Sequence, residues 1–62
     1  MGMNETVWNS YRRAMKRAEK QDHAAVAKVW HEFEQYCDTN GWPDWWSDLE
    51  LAYTDSLYAS IW

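Results

Sequence analysis

The chain is short of nearly everything that punctuates or staples a small fold. It has one cysteine, Cys37, two glycines and one proline in 62 residues. A lone cysteine excludes an internal disulfide, and with it the framework of small secreted domains. Gly2 and Gly41 are too few and too far apart for a phosphate-cradling loop. Two histidines, His23 and His31, leave little from which to build a catalytic triad or a four-ligand zinc site. No window approaches the ~18–20 consecutive apolar residues of a membrane span. The N-terminus lacks the basic stretch followed by an apolar run that marks a secretory leader. These absences predict a cytoplasmic protein that uses no cofactor, metal or membrane.

What the chain has instead is aromatic mass. Six Trp, four Tyr and one Phe are present, and each such ring buries ~150–250 Å² when packed. A core of this size rarely supplies more than ~3–5 kcal/mol. The aromatics are therefore the means by which so short a chain holds a core. They also exceed what the core can hide, so part of them is expected to meet another molecule.

Charge is unevenly spread. Residues 1–21 carry Arg12, Arg13, Lys16, Arg17 and Lys20 against Glu5 and Glu19, a balance of +3. Residues 22–62 carry eight acids against Lys28, a balance of −7. A basic segment is joined to an acidic one, giving the net charge of −4.

The composition is that of helices. The first segment, about 4–20, opens at Asn4 or Thr6 as N-cap and places Val7, Trp8, Tyr11, Met15 and Ala18 on one face, with the five cations on the other. The second, about 23–39, starts after Asp22 and carries a stripe of Val26, Val29, Trp30, Phe33, Tyr36 and Cys37, stopped by Asn40-Gly41 with Gly41 as a left-handed cap. The third, about 43–61, begins with Pro43 at its first position and shows a stripe of Trp46, Leu49, Tyr53 and Leu57. The fold class expected is all-α, a small three-helix bundle forming one domain. The alternative is a long helical hairpin that dimerises. Gln21-Asp22-His23 contains neither Gly nor Pro, so residues 4–39 can also be drawn as one helix of ~54 Å.

Catalytic and metal chemistry find little support. His31, Glu34, Cys37 and Asp38 fall at helical spacings, but Cys37 follows the core stripe and His31 points away from it. A helical chain this small also has little room for a concave pocket. No catalytic residue and no metal ligand is assigned.

Two surfaces remain. The third helix has a second apolar group, Leu51, Tyr58 and Trp62, beside Asp55 and roughly 120–160° around from Trp46. A helix apolar on two sides is normally buried on two sides, and Trp42 and Trp45 at the mouth of the turn extend that surface. Trp42, Trp45, Leu51, Asp55, Tyr58 and Trp62 are thus the expected partner-binding residues, the partner being another protein or a second copy in a homodimer. The second surface is the basic patch of Arg12, Arg13, Lys16, Arg17 and Lys20, which suits phosphate or an acidic partner. Specific groove reading is disfavoured, because the element after the turn carries Asp44, Asp48, Glu50 and Asp55 and no cation.

The hairpin with Trp8, Tyr11, Trp30 and Phe33 does not match a tetratricopeptide unit, whose small-residue and proline positions differ. In size, lack of motifs and aromatic density the chain resembles small accessory proteins of phages and plasmids, without residue-level correspondence. The sequence reads as a non-enzymatic protein-binding regulator or inhibitor. Nucleic-acid binding through the first helix and a self-associating structural module are the alternatives.

Overall fold

Helix composition and two capping signals divide the chain into three helices in a computed structural model. α1 is Met3–Glu19, α2 is His23–Asn40 and α3 is Trp46–Ile61. The structure describes the backbone of residues 3–61 and the side chains of 4–59. The result is an all-α three-helix bundle with α2 in the middle, packed against both neighbours, while α1 and α3 meet over a shorter stretch.

The break between α1 and α2 settles the long-helix alternative, and Asp22 causes it. The last turn of α1 tightens, with Lys20 N donating to Arg17 O at 3.1 Å and Gln21 N to Ala18 O at 2.9 Å. Asp22 is then fully extended, with φ −155 and ψ 174, and its carboxylate accepts from Ala25 N at 2.9 Å. An extended N-cap cannot continue the preceding helix, so the chain folds back.

At the other end of α2, Gly41 N donates to Cys37 O at 2.7 Å. Gly41 has a positive φ of 107, as a glycine cap should, but its ψ is 158. That lies outside the left-handed helical well, in a region open essentially to glycine alone. Asn4 holds this end of the bundle. It sits inside the first turn of α1 and does not cap it. Tyr36 Oη donates to Asn4 Oδ1 at 2.7 Å, Asn4 Nδ2 donates to Asn40 O at 3.1 Å, and Asn40 Nδ2 donates to Tyr36 O at 3.1 Å.

The core is Met15 and Ala18 from α1, Val26, Trp30, Phe33 and Cys37 from α2, and Leu49 from α3. Phe33 is its hub, fully buried, with Tyr11, Trp30, Trp42 and Trp45 rings at 5.7–6.0 Å. The expected stripes of α1 and α2 are the ones buried or half-buried.

α3 departs from expectation twice. It starts at Trp46, and Pro43 occupies a turn in which Trp46 N donates to Pro43 O at 3.1 Å. The buried face is also rotated roughly 50° from the expected stripe at helical pitch. Leu49, Ala52, Tyr53 and Ser56 face inward, while Trp46 and Leu57 are exposed at 38% and 36%. Ala52 and Ser56 are half-buried on this face, and Ser56 Oγ is hydrogen-bonded to His23 Nδ1 at 3.1 Å. The His23 ring also stacks on Tyr53 at 5.9 Å. Since Ser56 pairs with the first residue of α2, α3 outruns α2 beyond it, and Leu57, Tyr58 and Ala59 are exposed.

Candidate functional site

The glycine cap turns the chain sharply at the end of α2 and lays Trp42 back across it. Trp42 packs on Trp30 at 6.2 Å, edge-on to Phe33 at 5.7 Å and edge-on to Trp46 at 5.5 Å, yet stays 38% exposed. It forms the wall between two depressions. One, of about 330 Å³, is lined by Trp42 and Trp46. The other, of about 250 Å³, lies between the start of α1 and the 42–45 turn and is lined by Glu5, Trp8, Trp42, Pro43, Asp44 and Trp45.

Trp45 borders the second depression and is less open than Trp42. It is half-buried, stacked on Phe33 at 6.0 Å, with the Arg12 guanidinium 4.9 Å over its ring. The adjacent Trp46, expected in the core, takes the exposed place. Trp45 precedes the first helical residue, so helical periodicity does not govern where it points.

On α3 itself, Leu51 and Tyr58 are 64% and 59% exposed. They stand seven residues apart on one face, with Asp55 exposed beside them. Trp46 lies about 140° around the helix from Leu51, with Glu50, Thr54 and Ser47 between. The aromatic corner and the Leu51–Tyr58 face are therefore two neighbouring patches. Trp62 lies outside the described residues.

All five cations of the basic patch are exposed. Arg12 and Lys16 share a groove with Glu19 and Asp48 from the flanks of α1 and α3. Even so, among the described residues the ion-pair contact within 4 Å is His31 with Glu34 at 3.7 Å, and none involves the patch. Asn9, Arg12, Arg13 and Lys16 line a small basic depression of about 120 Å³.

Among the described residues no group of three His, Cys, Asp or Glu could hold a metal ion. Cys37 is buried, and burial together with the Asp38 charge pushes its thiol up to about 11, an unreactive protonated group. Trp8 Nε1 is buried without a hydrogen-bond partner among the described residues. Burial and the Glu32 carboxylate similarly hold the Tyr11 phenol above its ordinary range. No helix among the described residues is long and apolar enough to cross a membrane.

The residues that sequence reasoning missed are Trp46, Glu5, Trp8 and Asp44. The available signal was Gly41 followed by Trp-Pro-Asp-Trp-Trp. A turn so dense in indoles cannot bury all of them. Comparison with protein-family models, with curated proteins and with solved structures finds no match.

Proposed function

We propose that this chain is a small non-enzymatic protein-binding regulator that docks a partner on α3. The observation that carries this reading is the exposure of Leu51 and Tyr58 on one helix face, with Asp55 beside them and the Trp42–Trp46 corner at the near end. Exposed Trp and Tyr are the residues that most often dominate interface energies. Residues 41–62 carry Asp44, Asp48, Glu50 and Asp55 and no cation. The fitting partner is thus a segment with apolar anchors and basic flanks. The single buried thiol suits a reducing, cytoplasmic setting.

The test is affinity capture with the intact chain and a Trp46→Ala, Leu51→Ala, Tyr58→Ala triple variant. The reading expects a partner that binds the first stoichiometrically and is lost by the second while helicity is kept. Equal capture by both, or capture lost only when the Arg13 and Lys16 side chains are removed, would sink it.

A second reading has its own observation. Arg13, Lys16 and Arg17 on α1, and Lys20 in the turn that follows it, stand exposed with no carboxylate within 4 Å among the described residues. Such a ridge suits a nucleic-acid backbone, and it predicts binding that falls steeply as salt is raised. Absence of binding at low salt would dismiss it.

A further inference from the structure

Among the depressions of the molecule, the one between α1 and the 42–45 turn combines features that the others lack. Three indoles and a proline form its walls, and two carboxylates, Glu5 and Asp44, stand on it. No cation lines it, and neither carboxylate has a cationic side chain within 4 Å among the described residues. Its volume of about 250 Å³ is that of a side-chain pocket.

An aromatic wall bearing two carboxylates that have no cation within 4 Å among the described residues selects a cation that sheds water easily. A lysine ammonium is strongly hydrated and would lose that hydration against the indoles. A quaternary ammonium tolerates indoles but has no N–H for the carboxylates. A guanidinium satisfies both, since it is planar, weakly hydrated, stacks on aromatic rings and forks to carboxylates. The molecule already shows the pairing once, with Arg12 lying 4.9 Å over the Trp45 ring, which also stacks on Phe33, so that Trp8 and Trp42 are the indoles left to a guest while Trp45 only borders it.

We propose that the cleft lined by Glu5, Trp8, Trp42, Asp44 and Trp45 receives the guanidinium of an arginine side chain presented by a foreign polypeptide. This rests on the protein-binding reading above and names the anchor that the partner would bring.

The test uses the full chain and short free peptides. The indole N–H resonances of the six tryptophans are followed by NMR while an acetyl-Gly-Arg-Gly-amide peptide is added. The expected result is saturable shifts at Trp8, Trp42 and Trp45, absent with the isosteric neutral citrulline peptide. Affinity should fall about fivefold in a Glu5→Gln, Asp44→Asn variant, the effect of two exposed charge contacts. Both residues are exposed, and a circular dichroism melt of that variant verifies that the bundle is retained. Equal shifts with citrulline, or none with arginine, overturn the assignment. So do shifts with a lysine or trimethyllysine peptide but not with arginine. Shifts that depend on protein concentration without peptide, and vanish with Arg13→Ala, would give the cleft to a second copy of this chain and overturn a foreign occupant. Because free peptide is used, a negative result leaves the Leu51–Tyr58 face standing. Conversely, arginine binding beside partner capture insensitive to Leu51→Ala and Tyr58→Ala would remove that face alone.

Discussion

Trp45 and Trp46 are chemically identical neighbours in opposite environments, and truncating each to alanine separates them. A fully buried Trp→Ala change costs ~3–5 kcal/mol. Trp45 is half-buried on Phe33, which brings that to about 2 kcal/mol. Loss of the Arg12 contact over its ring adds ~0.5–1 kcal/mol. The total, about 3 kcal/mol, is most of the ~3–5 kcal/mol that a core this small supplies, so Trp45→Ala should be left marginally folded, with a low urea midpoint. Trp46 has Trp42 as its ring neighbour and is 38% exposed. By the same scaling its truncation costs about 2 kcal/mol, offset by a few tenths from the better helix propensity of alanine, and it has no cation over its ring to lose. The two variants should therefore differ by about 1 kcal/mol, with Trp45→Ala the less stable. With a urea dependence of ~1 kcal/mol/M for a small domain, that is a gap of ~1 M between midpoints. Circular dichroism is the assay, because removing either indole changes the fluorescence directly. If Trp46→Ala proves as destabilising as Trp45→Ala, or more so, the rotation of α3 is wrong and Trp46 belongs to the core.

Asp22→Ala should cost about 1 kcal/mol by urea melt, whereas Asp22→Asn, an equally good cap, should be near neutral; equal losses would mean that the carboxylate bond to Ala25 N is not what breaks the chain. Gly41→Ala should cost ~1–3 kcal/mol although no atom lies within 4 Å of the added Cβ, because φ 107 with ψ 158 is a glycine conformation. Gly41→Asn should fail to rescue it, since asparagine tolerates the left-handed helical well and not this one. Cys37 should resist alkylation at neutral pH until the chain unfolds, since it is buried and protonated. Its folded value of about 11 lies above its ordinary 9.0, so its contribution is complete below pH 9 and is lost as pH rises from 9 toward 11, by at most about 3 kcal/mol. Cys37→Ala should flatten that alkaline fall in urea-melt stability, leaving the share due to Tyr11.

How much was legible in the sequence follows from how each helix is patterned. α1 separates its cations from Trp8, Tyr11, Met15 and Ala18 so cleanly that one phase fits, and α2 does the same with Val26, Trp30, Phe33 and Cys37. Asp22 and Gly41 are residues whose chemistry has a local geometric meaning, so both ends of α2 could be placed without knowing what surrounds them. α3 offers neither aid. Its apolar residues are spread around the axis, and several phases bury comparable numbers of them. The observed phase turns Ala52 and Ser56 inward, which a hydrophobicity pattern scores as unremarkable, and it is the phase in which Ser56 and Tyr53 meet His23. The proposed partner surface suffers the same ambiguity one step later. Once Ala52 and Ser56 face inward, Trp46 must leave the core, and it meets Trp42 at the corner built by the Gly41 cap. The cleft with Glu5 and Asp44 is less visible still. Its walls come from residues 5–8 and 42–45, nearly forty positions apart, and nothing in either segment announces the other. What joins them is the Asn4–Tyr36–Asn40 clasp, which pins the start of α1 to the end of α2. The cleft proposed for a guanidinium thus depends on three polar side chains that carry no functional signature of their own.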